Sequence, residues 1–192
     1  MLNTSPSELL QMALAYASFG WAVFPVHSIR DGRCTCGRPS CTSPGKHPLT
    51  RHGHRDASTD PAVVAAWWKK HPWANIAVAT GERSGRLMVI DLDNKPDEGI
   101  DGEETWRQLA KDAPATVEVL TGGGGRHLYF TYPEGLQIKS APASSDPGST
   151  SAPKAAMSLP RQACISQDGD TNGRSQAIQL KGSRSPRRRS GR

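Results

Sequence analysis

Apolar residues are spread so unevenly along this 192-residue chain that only one part of it can build a core. Nearly all the tryptophans, valines, leucines and isoleucines fall in residues 1–139, and the stretch from Ser140 onward is mostly Ser, Pro, Gly, Ala, Arg and Gln. Burial of apolar surface drives folding, and about 140 residues suffice for an independent domain. The sequence therefore predicts one domain over 1–139. Residues 140–192 read as a disordered, basic Ser/Pro/Arg-rich tail with no strand-forming run.

Local signals divide the first part into helices and strands. Ser5 is placed to cap a helix, with Pro6 at its first position and Glu8 completing a capping box. Leu9, Leu10, Ala13, Leu14 and Ala17 follow at helical spacing, and Gly20 supplies the stop. Trp21–Val26 reads as a strand, and Pro25 within it argues for a sheet edge. Residues 28–58 hold three of the four cysteines and several prolines and read as a long functional loop. Asp60-Pro61 opens a second helix with Val63, Val64, Trp67 and Trp68 on one face, ended by Pro72. Residues 75–80 and 87–93 are strands, Ile100–Lys111 is a helix carrying Trp106 and Leu109, and 116–120 pairs with 127–132 as a hairpin around Gly122–Gly125. This order gives an α+β fold, without the regular alternation of a doubly wound sheet.

No apolar run approaches the ~20 residues that span a bilayer, and the first residues lack the pattern of a secretory signal. The expectation is a cytoplasmic protein without a membrane partner. Cysteines in that compartment stay reduced, so the four here read as metal ligands or free thiols. The net charge of +6 suits a polyanionic partner, although Arg184, Arg187, Arg188, Arg189 and Arg192 crowd the last nine residues. Such a basic tail is equally readable as a solvated arm.

Asp91-Leu92-Asp93 closes an apolar strand. Side chains alternate along a strand, so Asp91 and Asp93 share a face, about 7 Å apart, with Ile90 and Leu92 on the other. Two such carboxylates repel unless a cation sits between them, and Mg²⁺ or Mn²⁺ prefers oxygen ligands. The bland alternative is a pair of acids leaving a sheet for solvent. In Thr121-Gly122-Gly123-Gly124-Gly125-Arg126-His127, consecutive glycines would let backbone amides approach an anion, with Arg126 and His127 as further donors. No Walker lysine follows, and a flexible hairpin turn explains the glycines too. Cys34, Cys36, Cys41 and His47 form a Cys₃His set of the structural zinc type, although the first spacing is tighter than usual. His27, His52 and His54 are nearby substitutes for His47, and Cys164 in the tail has no role assigned.

Taken in order, these segments resemble the N-terminal domain of the bifunctional primase-polymerases of the archaeo-eukaryotic primase superfamily, found in plasmids, phages and integrated elements. The resemblance runs from about Met12 to Lys139. It rests on Ala13-Leu14-Ala15-Tyr16-Ala17, Gly20–Pro25, Pro44-Gly45-Lys46-His47-Pro48, Thr59-Asp60, Asn75–Gly81, Ile90–Asp93 and Thr121–Phe130. It implies an RNA-recognition-like mixed sheet with packed helices and a zinc-binding loop. It also implies Asp91 and Asp93 as Mg²⁺ or Mn²⁺ ligands and His127 as a catalytic residue. Arg126, Gly123, Gly124 and Lys46 would contact the nucleotide, and the zinc of Cys34, Cys36, Cys41 and His47 would be structural. The implied activity is template-directed nucleotidyl transfer from nucleoside triphosphates on a DNA template and primer, with a helicase region often downstream.

The family pattern continues with a third acidic residue and a further strand, which residues 140–192 do not offer. Asp168 and Asp170 are the paired acids available there. The expectation is a degenerate or frame-shifted copy of low activity. A non-catalytic zinc-containing nucleic-acid-binding module using Lys46, Arg51, Arg55, Lys69 and Lys70, or a nucleotide hydrolase, are the other readings.

Overall fold

The computed structural model describes residues 6–121, 124–136, 138, 157–158 and 162–165. Helix α1 covers Pro6–Ser18, followed by strands β1 (Val23–Val26), β2 (Ile29–Arg30) and β3 (Arg33–Cys34). Helix α2 spans Pro61–Lys70 and leads into β4 (Asn75–Ala79), β5 (Leu87–Leu92), β6 (Asn94–Lys95) and β7 (Ile100–Asp101). Helix α3 (Gly102–Leu109) precedes β8 (Val117–Leu120), β9 (Arg126–Thr131), β10 (Met157–Ser158) and β11 (Gln162–Ile165).

The helix boundaries follow from capping chemistry. Pro6 is the first residue of α1, as expected, whereas the Ser5 cap lies outside the described residues. The helix closes where the Gly20 amide donates to Ala17 O and the Trp21 amide to Tyr16 O, with Gly20 at φ +82°. This is the 6→1 and 5→2 pattern that satisfies the last carbonyls, and glycine enters it without a Cβ clash. In α2 the Asp60 carboxylate accepts from the Ala62 amide at 2.8 Å, with Pro61 at the first turn. Val64 and Trp68, one turn apart, are buried, whereas Val63 is turned outward. The expected apolar face is thus narrower than four residues. Helix α3 is shorter than expected, because Asp101 caps it by accepting from Glu104 N at 2.9 Å, and Leu109 is exposed.

Two sheets carry the core. One has the order β1-β4-β11, the other β10-β5-β9-β8. Strand β1 is an edge, as Pro25 required, since proline cannot donate to a second neighbour. Every described strand pair is antiparallel, in place of the mixed sheet expected. The expectation that nothing after Lys139 forms strands is likewise corrected: β10 pairs with β5 and β11 with β4. The reason is long-range. An unpaired strand edge leaves a row of backbone donors and acceptors, and short segments of weak intrinsic preference can satisfy them. The remainder of 140–192 lies outside the described residues.

The main core joins Leu9, Ala13, Tyr16 and Ala17 of α1 to Val64 and Trp68 of α2 and to Ile76, Val78, Leu87, Val89, Val119 and Tyr129 of the sheets. On the opposite face of the four-stranded sheet, Ile90, Leu92 and Leu128 are buried beneath Trp106 of α3 and Phe130. The loop after β1 is stitched back onto that strand, with bridges Val26–Pro48 and Val23–Ser58 and a hydrogen bond from the His27 amide to His47 O at 2.9 Å. Among the described residues no helix is long and apolar enough to cross a membrane.

Candidate active site

Strands β5 and β9 pair so that Asp91 stands directly opposite His127. Directly opposed residues on an antiparallel pair project to the same face, which makes neighbours of residues distant in sequence. His127 Nε2 lies 3.5 Å from Asp91 Oδ1, with the imidazole mostly buried and the carboxylate more open. Two residues back along each strand, Val89 and Tyr129 continue this face into the core. Tyr129 stacks on Trp21 with ring centroids 5.1 Å apart, and Trp21 stacks in turn on Tyr16 of α1 at 5.9 Å. A continuous stack of rings therefore lies beneath His127.

Burial holds the His127 imidazole below its ordinary range. Lys46 pushes it the same way, against the pull of Asp91 and Asp93. Burial disfavours the charged ring, so His127 is neutral near pH 7 and offers one donor and one acceptor. Its Nδ1 is buried and has no hydrogen-bond partner among the described residues. Asp93 follows the end of β5, and its carbonyl accepts from the Gly102 amide at 2.8 Å, which ties the strand end to the start of α3. Lys46, far away in sequence, reaches the same electrostatic neighbourhood because the loop after β1 folds back.

The glycine-rich turn closes on itself. The Gly124 amide donates to Thr121 O at 3.0 Å and the Gly125 amide to Thr121 Oγ1 at 3.1 Å. The Gly124 amide expected at a nucleotide is thus already used within the turn, and Gly123 lies outside the described residues. Gly125 has a separate reason to be glycine: a Cβ there would sit 2.2 Å from the Leu92 carbonyl oxygen.

Arg126, expected near the nucleotide phosphates, is oriented by the strand register. It registers with Leu92, one residue along from the Asp91–His127 pair, and so faces α3. There its guanidinium meets Glu103 at 2.5 Å and Glu118 at 2.6 Å. Adjacent residues on a strand project to opposite faces, so Arg126 meets two carboxylates on the α3 side while His127 faces Asp91.

The cysteine loop gathers Cys34, Cys36, Cys41 and His47, whose ligand atoms all lie within 4.8 Å of one another. Cys34 Sγ is 3.3 Å from His47 Nε2 and accepts from the Gly45 amide at 3.5 Å. Burial alone would raise the Cys34 thiol, but hydrogen bonds from Gly45, Cys36 and His47 outweigh it and bring it down to about 6. Cys41 moves the other way: the Ser43 amide lowers it, but burial and the neighbouring thiols of Cys36 and Cys34 leave it raised. Crowded sulfur with amide donors suits a thiophilic divalent cation, because tetrahedral zinc spaces its ligands at such distances. Two of the substitutes for His47, His27 and His52, are otherwise engaged. His52 bonds Asp56 at 2.9 Å, and His27 Nδ1 meets Thr35 Oγ1 at 2.9 Å.

With a strand-borne aspartate facing a histidine on the next strand, and a Cys₃His loop beside them, comparison with known families becomes informative. The family model of the bifunctional DNA primase/polymerase N-terminal domain matches residues 13–189. The chain belongs to this family. The match extends well past Lys139 and takes in both late strands, β10 and β11. No curated protein matches the chain. A primase/polymerase domain of this family acts on DNA and nucleotides and depends on metal in general. Sequence reasoning about this primase/polymerase domain did not single out Glu103, the partner of Arg126, nor Trp73, which packs near His27. An Arg followed by His on a strand is the signal that could have separated their two faces.

Proposed function

We propose that this chain performs template-directed nucleotidyl transfer at the end of β5 and β9, with a chemical step slower than a full three-carboxylate site would give. The observation that carries the reading is the register pairing of Asp91 with His127, within a family match covering most of the chain. Asp91 and Asp93 would hold Mg²⁺ or Mn²⁺, since two half-open carboxylates on one strand end are hard oxygen donors. That ion, when bound, neutralises triphosphate charge. His127, neutral and anchored over the Tyr129–Trp21 stack, donates to a phosphate oxygen through a ring nitrogen. Lys46 adds a positive charge on the same side. The Cys₃His loop would bind a structural zinc that holds Lys46 in place.

Among the described residues, the carboxylates acting on His127 are Asp91 and Asp93. Asp168 and Asp170 lie outside the described residues; two carboxylates hold cations less completely than three, which slows the chemical step. The four-stranded sheet is taken as the counterpart of the RNA-recognition-like sheet, and a helicase region as a separate partner. The competing reading, a non-catalytic nucleic-acid-binding module, draws on Lys46, Arg51 and Arg55 of the same loop with Lys69 and Lys70 of α2.

Primer extension with Mn²⁺ and deoxynucleotides separates the two. Slow extension is expected, falling at least about 100-fold on Asp91→Ala, while Asp168→Ala/Asp170→Ala leaves the rate unchanged. Extension indifferent to Asp91→Ala would refute the assignment. Loss of extension in the Asp168/Asp170 variant would show that the site is complete.

A further inference from the structure

Beside the cysteine loop lies a row of rings that the nucleotidyl-transfer site does not use. His27 packs on His47 with ring centroids 4.2 Å apart, Trp73 lies 6.1 Å from His27, and His71 meets Trp73 edge-on at 5.5 Å. His27, His71 and Trp73 are all partly exposed. The loop orients this row directly. Thr35, between two of the metal-site cysteines, fixes the His27 ring through its hydroxyl, and the Thr35 amide donates to Ser28 O at 2.9 Å.

The charges around the row are of one sign. Arg38 acts on His27, and Lys70 acts on His71. Arg38, Lys69 and Lys70 are exposed, and among the described residues none is held in an ion pair. The 28–58 loop carries Arg30, Arg33, Arg38, Lys46, Arg51 and Arg55 against Asp31 and Asp56. Partly exposed rings beside cations are what a single-stranded nucleic acid requires, because bases stack on the rings while the phosphates meet the cations. A double helix would present no unstacked base to Trp73.

We infer that the His27–Trp73–His71 row, with Arg38 and Lys70, is a stacking platform for single-stranded DNA, leading the template toward Asp91 and His127. The inference rests on the nucleotidyl-transfer reading. Continuity comes from the loop itself: His47 packs against the platform, and its chain neighbour Lys46 acts on His127.

The test is fluorescence anisotropy of a labelled oligothymidine with the whole chain, alongside binding of a deoxynucleoside triphosphate with Mn²⁺. Trp73→Ala should weaken oligothymidine binding roughly tenfold, consistent with the loss of one stacked base. Trp73→Phe should restore most of it. Arg38→Ala/Lys70→Ala, a pair of exposed positions that leaves the core intact, should reduce the slope of log affinity against log salt by about 1.4. Triphosphate binding should stay unchanged in all three. Oligothymidine affinity and salt slope unaltered in Trp73→Ala and Arg38→Ala/Lys70→Ala would overturn the platform, whatever the triphosphate result. Failure of the nucleotidyl-transfer reading would show separately, as triphosphate binding that ignores Asp91→Ala.

Discussion

Replacing Gly125 by alanine asks whether the glycine turn sets the geometry of the candidate active site. The added Cβ would stand 2.2 Å from the Leu92 carbonyl oxygen and 3.3 Å from Thr121 Oγ1. An ordinary C···O contact needs about 3.3 Å or more, so hairpin and strand must part by about 1 Å. The Leu92 oxygen is backbone and a Cβ is fixed to its Cα, so neither can rotate away. Overpacking of this kind costs about 1–3 kcal/mol, which corresponds to a melting midpoint lowered by roughly 2–12 °C. The displaced carbonyl belongs to the residue between Asp91 and Asp93, and a 1 Å shift of a catalytic group costs about 100-fold in rate. Gly125→Ala should therefore lose both stability and most Mn²⁺-dependent extension. Gly124→Ala is the contrast. Gly124 sits at φ +84° with nothing within 4 Å of where a Cβ would stand, so alanine there incurs only the left-handed strain of about 1–2 kcal/mol. It should be less stable yet retain triphosphate affinity. Thermal denaturation and triphosphate titration of both variants decide the matter. A Gly125→Ala protein with wild-type midpoint and wild-type affinity would refute the close approach of turn and strand.

Two further outcomes follow from the structure. Protein purified without chelator should carry about one zinc per chain by elemental analysis, and Cys36→Ser should lose most of it and expose the 28–58 loop to proteolysis; full zinc occupancy in that variant would remove Cys36 from the site. Arg126→Ala should leave triphosphate affinity within about twofold while destabilising the domain by about 1 kcal/mol, the modest scale of a partly solvated ion pair; a large loss of triphosphate binding in a folded Arg126→Ala protein would return the guanidinium to the nucleotide.

The elements that could be read directly from sequence are those whose signals are local. Gly20 ends α1 and Asp60-Pro61 starts α2 because capping satisfies backbone groups within one turn. The β8–β9 hairpin was legible from two alternating runs around glycines, and Pro25 announced an edge strand. The Cys₃His set came from composition and spacing, and the fold brings its four ligand atoms together. Tertiary structure alone decided the rest. Strand register turned His127 toward Asp91 and Arg126 toward Glu103, although the two residues are adjacent in sequence. Folding of the 28–58 loop onto β1 carried Lys46 to His127, and the β1–β4 register set His27 beside Trp73. Strands β10 and β11 have little strand character of their own. They form against β5 and β4 because an open sheet edge recruits backbone partners that no local pattern announces.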